Sequence, residues 1–167
     1  MRIPPAAQSR RLPYATLALA IGLLPALTLA ACRAPAPEPH DPSVVGIVAS
    51  RELLAGSRAR FGLVSGKTID IDQSVASNLN GVTPDVGDLL FYGVQPQPWF
   101  VGLNPVSEDR FDVYSQPDDA QDGSITFDFG LRLPLAKTYD ETGAGQLEAG
   151  APVLYLVNGK GEVIDRR

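Results

Sequence analysis

From Val44 onward, short runs of β-branched and aromatic residues alternate with Gly, Asn, Asp and Pro, and no stretch keeps the periodicity of an amphipathic helix. Fifteen of the sixteen glycines and seven of the fifteen prolines lie in this part of the chain and supply the interruptions. A strand needs only about four to eight residues of suitable pattern, whereas a helix needs about ten or more. The sequence therefore predicts an all-β domain.

The pattern predicts nine strands, together with a modest helical segment at 73–80 and a helical turn near Leu147. The strands are expected at 44–49, 59–65, 68–73, 89–94, 99–103, 110–114, 124–133, 153–157 and 162–164. Nine short strands fit either a small closed barrel or a two-sheet sandwich, because both arrangements hide strand edges.

Three turns support this division into strands. Ser65-Gly66-Lys67 predicts a hairpin before a strand in which Ile69 and Ile71 face the core and the intervening aspartates face outward. Asn158-Gly159 predicts a hairpin with a type I′ turn, and Asp122-Gly123 predicts a further hairpin between 111–114 and 125–129. The opening of the domain, from its glycine-bearing first strand and hairpin to Val86-Gly87-Asp88-Leu89-Leu90, resembles an OB-type barrel. That resemblance extends over about half of the domain.

The chain contains one cysteine, Cys32, and one histidine, His40. A single cysteine excludes internal disulfides, Cys-x-x-Cys redox pairs and clusters of thiolate metal ligands within the chain. A single histidine excludes a multi-histidine zinc site, and its position in a proline-rich stretch argues against a Ser-His-Asp triad. No cofactor is expected.

The first 31 residues have the layout of an export signal. Arg2, Arg10 and Arg11 are followed by a run without any charge from Leu12 to Cys32, which predicts a signal helix. An uncharged run of this length could also remain as an uncleaved membrane-spanning helix. Ser9-Arg10-Arg11-Leu12 is similar to the start of a twin-arginine signal, so the export route stays open between that pathway and the general secretory one.

The sequence Leu29-Ala30-Ala31-Cys32 resembles the lipobox of bacterial lipoproteins. The resemblance covers residues 1–32 and implies cleavage before Cys32 and acylation of its sulfur. It implies a lipid-anchored protein on the extracytoplasmic face of a cell membrane, with the membrane lipid as its first partner. Which membrane of a two-membrane cell holds the anchor is left open.

The expected organisation is a signal peptide at 1–31, the lipidated cysteine with a proline-rich tether at 32–43, and one β domain at 44–167. Four prolines between Arg33 and Pro42 favour an extended spacer. Removal of the three leader arginines from 14 basic residues leaves 11 against 19 acidic ones, a net charge of −8. Such a domain is repelled by phosphate backbones, so no nucleic-acid partner is expected.

Two candidate sites arise in the β domain. Trp99 and Phe100 follow two prolines, where an aromatic ring could stack on a sugar or a partner side chain, although a core or strand-edge position is the better interpretation for Trp99. Asp118 and Asp122 lie in an acidic turn that offers oxygen ligands to calcium. The third and twelfth positions of that loop are Ala120 and Phe129, so two calcium ligands are missing and a solvated loop is the better interpretation.

The function most consistent with these features is that of a non-enzymatic binding or accessory module of the cell envelope, with an envelope protein or a glycan as its unidentified partner. The alternative is a hydrolase of envelope polymers that uses a pair of Asp or Glu carboxylates. A third class, a structural spacer, predicts neither a pocket nor an exposed aromatic cluster. The sequence leaves the oligomeric state open.

Overall fold

The computed structural model describes residues 37–116, 122–139 and 152–167. Within these ranges the chain forms strands and turns and no helix, which confirms the all-β prediction. Consistent with this, none of the described ranges offers a helix long and apolar enough to cross a membrane. The predicted signal helix, Cys32, Asp118 and the turn near Leu147 lie outside the described residues.

The described ranges contain twelve strands. In chain order they are β1 (Val44–Leu53), β2 (Arg58–Leu63), β3 (Thr68–Asp72), β4 (Ser77–Asn78), β5 (Leu89–Gly93), β6 (Trp99–Leu103), β7 (Pro105–Ser107), β8 (Arg110–Ser115), β9 (Ser124–Thr126), β10 (Arg132–Pro134), β11 (Val153–Asn158) and β12 (Val163–Arg166).

The strands form a six-stranded sheet in the order β3-β2-β1-β5-β6-β4, a four-stranded sheet in the order β12-β11-β8-β7, and the two-stranded ribbon β10-β9. All of the pairs are antiparallel except β4 with β6. No sheet of the described residues closes into a barrel. The OB-like closed barrel is therefore not the observed arrangement, because β3 and β4 remain as separate edges of the large sheet.

The β5–β6 hairpin is the centre of the domain because both of its faces are buried. On one face, Leu89, Phe91 and Trp99 belong to a core shared with β8 to β12. On the other face, Leu90 and Phe100 belong to a second core shared with β1, β2 and β3. A strand buried on both faces needs apolar residues at successive positions, which explains the continuous apolar sequences of β5 and β6.

Strand β1 joins these layers by changing partners along its length. Residues 44–47 pair with β5, whereas residues from Val48 to Leu53 pair with β2, with an irregularity between Val48 and Ser50. The hairpin between β2 and β3 turns at Gly66, whose φ is +83°. In β3, Ile69 and Ile71 are buried and Asp70 is exposed, which confirms the predicted alternation.

Two predictions for the middle of the chain are wrong. The predicted helical segment 73–80 forms only a turn after Asp72, and Ser77–Asn78 then becomes β4. Its backbone is drawn into pairing with β6, because Ser77 N–H donates to Pro98 O at 2.9 Å and Leu79 N–H to Phe100 O at 3.1 Å. The predicted single strand 124–133 is split into β9 and β10 by a turn at Gly130, whose φ is +94°.

Two turn predictions also need correction. Asp122-Gly123 does not join a β8–β9 hairpin, because β8 pairs with β7 and β11 instead. The hairpin at Asn158-Gly159 does form between β11 and β12. However, only Gly161 in that turn has a positive φ, at +81°, so the turn is not type I′, which requires positive φ at both central residues.

Candidate functional site

Trp99 and Phe100 are core residues, and for Trp99 a buried position is the one that the sequence favours. Their exposed fractions are 0% and 3%. The Trp99 indole N–H donates to Gln95 O at 3.1 Å, and the ring lies over Gly93, where an added Cβ would approach it to 2.3 Å. In the described structure these rings have no face on which a ligand could stack.

The only histidine also contacts this aromatic core. The His40 ring meets the Trp99 ring edge to face, with 5.4 Å between the ring centroids. His40 N–H donates to Gly130 O at 2.8 Å, and Arg132 N–H donates to His40 O at 3.1 Å. His40 was expected to lie in a free tether, but here its backbone lies alongside the turn between β9 and β10.

An ion pair holds the same segment in place. Arg132 Nε donates to Asp41 Oδ1 at 2.7 Å, and a second guanidinium N–H bonds to Asp41 Oδ2. This two-point contact lowers the pKa of Asp41 below its usual value. The predicted spacer at 32–43 is thus packed against the domain from about His40 onward, because its backbone and its one aspartate find partners on the β9–β10 ribbon.

The candidate calcium loop is only partly described. Asp122 is exposed and has a φ of +52°, in the turn that precedes β9. Among the described residues no group of three or more Asp, Glu, His or Cys side chains is placed to hold a metal ion. Asp118 lies outside the described residues.

The aspartates of β3 are engaged with neighbours on the same sheet. Asp70 accepts two hydrogen bonds from Arg60, at 2.8 and 2.9 Å, which lowers the pKa of Asp70. Asp72 Oδ1 accepts from the Ser57 and Ser74 hydroxyls, each at 2.6 Å, and from Ser74 N–H at 3.0 Å. These contacts lie on an exposed face and order the turn after β3.

The three hydrogen bonds to Asp72 predict a specific acid titration. They lower the pKa of Asp72 from 3.8 to about 2 by stabilising its charged form. Since the folded pKa is depressed, the stabilisation is present above pH 3.8 and is lost as the pH falls towards about 2. A carboxyl-carbon NMR titration should show Asp72 titrating near pH 2, and Ser57→Ala should raise that midpoint towards 3.8.

Ser65→Ala is the matched control for this titration, because Ser65 is an exposed serine in the β2–β3 turn. It should leave the Asp72 midpoint unchanged. A wild-type Asp72 midpoint near the ordinary value of 3.8 would contradict the prediction.

A cleft of about 510 Å³ lies where the β4 end of the large sheet meets β8. Its floor includes the buried residues Gly102, Leu103 and Val113. The volume falls within the range of about 300 to 1,000 Å³ that is common for small-molecule sites.

Polar residues from three separate parts of the chain line the cleft. Asn80 follows β4, Asn104 follows β6, and Asp112 lies on β8. Asn80 Nδ2 donates to Gly102 O at 2.7 Å, so that this amide is fixed in place. In the part of the chain that the structure describes, no residue hydrogen-bonds to the side chains of Asn104 or Asp112.

Two aromatic residues also line the cleft. Tyr114 is 64% exposed, and Phe129 is partly buried and stacks on Phe127, with 5.7 Å between the ring centroids. The cleft therefore combines apolar rings with the Asn104 amide and the Asp112 carboxylate, neither of which is hydrogen-bonded to another described residue.

Sequence reasoning did not find this cleft. One local signal was present: in β8, Phe111 and Val113 face the core, so that Asp112 and Tyr114 face outward together. The positions of Asn80 and Phe129 depended on β4 and on the β9–β10 turn, for which the sequence suggested other structures. No family model, curated protein or solved structure matches this chain.

Proposed function

We propose that this chain is a bacterial envelope lipoprotein whose β domain is a non-enzymatic binding or accessory module. In this proposal the chain is cleaved before Cys32 and held at the extracytoplasmic face of a membrane by acyl chains on that cysteine. The observation that carries it is Leu29-Ala30-Ala31-Cys32, placed directly after an uncharged segment that is itself preceded by three arginines. Because Cys32 is the only cysteine, no other thiol in the chain competes for this role.

The proposed anchor has a clear energetic basis. Each buried methylene contributes roughly 0.8 kcal/mol, so one acyl chain gives marginal binding and two or more give stable anchoring. The acidic character of the domain would oppose attachment by charge to an anionic lipid surface. Acylation would supply the attachment that the domain surface does not.

The contacts of Asp41 and His40 bear on how the anchor would hold the domain. Only residues 33–37 separate Cys32 from Glu38, whose carbonyl contacts the His40 ring. At about 3.3–3.6 Å per residue, such a linker reaches no more than about 20 Å. We therefore expect the mature protein to work close to the lipid surface rather than at the end of a long flexible spacer.

The geometry of the acidic residues favours a binding role over hydrolysis. Asp70 and Asp72 take part in hydrogen bonds on an exposed sheet face. Among the described residues that line the cleft there is one carboxylate, Asp112, whereas a glycoside hydrolase uses two. We further propose that the domain is a sandwich, with the β5–β6 hairpin shared between its two cores.

Mass spectrometry of the membrane-extracted protein tests the anchor directly. The full chain should be expressed in a bacterial host fed an alkyne-bearing fatty acid and extracted with detergent. The expected product begins at Cys32 and carries diacylglyceryl on its sulfur. All of the fatty-acid label found in this protein should lie in its N-terminal peptide. An exported protein with an intact leader or a free Cys32 thiol would overturn the proposal.

A further inference from the structure

We propose that the cleft between β4, β6 and β8 binds a neutral, hydroxyl-rich saccharide. This inference rests on the proposed function, because it names the ligand of the binding module. Four features support it: the charge of the lining, its aromatic rings, its polar groups that bond to no other described residue, and the hydrogen bonds that hold the turn carrying Phe129.

The charge of the cleft excludes the most common small anions. The described residues of its lining include no lysine or arginine, and the one carboxylate among them is Asp112. A phosphate or carboxylate ligand would meet a like charge without a compensating cation, and that arrangement is unfavourable. A neutral ligand that donates hydrogen bonds meets no such cost.

The aromatic side chains suit the apolar faces of sugar rings. Tyr114 is 64% exposed. Because a tyrosine ring has a large apolar surface, a ligand that packs against it would bury that surface. Phe129 lines the same cleft and is partly buried. A pyranose presents C–H groups on its faces and hydroxyls at its edge, so it can pack against a ring and hydrogen-bond sideways at once.

The polar groups at the cleft match that edge. The Asp112 carboxylate accepts hydrogen bonds only, and the Asn104 amide both donates and accepts them. Neither side chain is hydrogen-bonded to another described residue. Both groups are thus available to sugar hydroxyls, each of which is a donor and an acceptor.

The wall that carries Phe129 is held by several contacts. Asp128 N–H donates to the buried Ser115 hydroxyl at 3.0 Å, and Gly130 N–H donates to Phe127 O at 2.8 Å. On the far side of this turn, His40 N–H donates to Gly130 O at 2.8 Å. A turn fixed in this way loses little conformational freedom on binding, which favours affinity.

The test is calorimetric titration of the full chain, extracted in a zwitterionic detergent so that no sugar headgroup competes for the cleft. The probes are chitotetraose and maltotetraose as neutral saccharides and tetralysine as a cationic peptide. At least one saccharide should bind. Tyr114→Ala should weaken binding about tenfold, which corresponds to about 1.4 kcal/mol, whereas Tyr114→Phe should keep most of the affinity because it keeps the ring.

Val64→Ala is the matched control, because Val64 is a similarly exposed apolar residue, at 69%, in the turn between β2 and β3. It should bind like the wild type. Circular dichroism of each variant checks that it is folded.

Four results would overturn the inference, and the first three concern binding. They are a folded protein that binds neither saccharide, saccharide binding that Tyr114→Ala leaves unchanged, and salt-sensitive binding of tetralysine alone. Self-association that Tyr114→Ala abolishes, without sugar binding, would make this face a contact between copies and would also overturn it. If Cys32 is acylated but no sugar binds, only the saccharide inference is refuted. If sugar binds to a protein whose Cys32 thiol is free, only the proposed lipid anchor is refuted.

Discussion

Trp99→Ala is expected to reduce the free energy of unfolding by about 3–5 kcal/mol. Domains are commonly stable by only about 5–15 kcal/mol. The variant should therefore unfold at a much lower urea concentration than the wild type, and a marginally stable domain would be largely unfolded at 37 °C.

The reason is the position of Trp99 between other buried groups. Its side chain is fully buried, lies directly opposite Gly93 on β5, and contacts the His40 ring. Alanine would leave a cavity that Gly93 has no side chain to fill, and the Gln95 carbonyl would lose its indole donor. The lost transfer free energy of the buried ring and the cost of the cavity both add to the destabilisation at such a site.

Urea unfolding followed by far-UV circular dichroism is the suitable measurement, because the substitution removes the only tryptophan and with it the indole fluorescence. Trp99→Phe should cost less, since it keeps an aromatic ring but loses the N–H donor. Val64→Ala, at an exposed position, should stay within about 0.5 kcal/mol of the wild type. A loss below about 1 kcal/mol for Trp99→Ala would contradict the prediction.

The sequence predicted best where one strand's own pattern decided its structure. Strand β3 alternates between buried isoleucines and outward aspartates, and β6 has the predicted bounds of 99–103. The apolar run of β6 fitted a buried strand because it is covered on both faces. In these segments local pattern and tertiary packing require the same conformation.

The failures occurred where a contact distant in sequence decided the structure. Within 73–80, Ser77–Asn78 became β4 because β6 offered an open edge, and nothing near residue 77 in the sequence indicates this pairing. Arg132 lies 91 residues from Asp41, so the docking of the proline-rich segment was equally hidden. The cleft depends on both of these regions, which explains why its residues were not grouped from sequence alone.

Removing the sulfur of Cys32 should have the largest effect on where the protein is found. In the lipoprotein family that the leader resembles, acylation precedes cleavage. Cys32→Ser should therefore carry no fatty-acid label and accumulate as a precursor that keeps its leader, which is uncharged from Leu12 onward and can itself stay in the membrane. Label incorporation and the mass of the N-terminal peptide are the measurements for this variant.

The double variant Leu29→Ala/Cys32→Ser separates the anchor from the leader. With Ala30 and Ala31 unchanged, it leaves only small residues in front of the new serine, which is the pattern of an ordinary secretory cleavage site. A single myristoyl chain already binds membranes with a constant of about 10⁴ M⁻¹, and the wild type is expected to carry at least two chains. The double variant should thus move from the membrane pellet to the soluble exported fraction almost completely, as measured by immunoblotting after a carbonate wash. Retention of the cleaved double variant in the washed membranes would mean that the β domain, and not Cys32, attaches the protein.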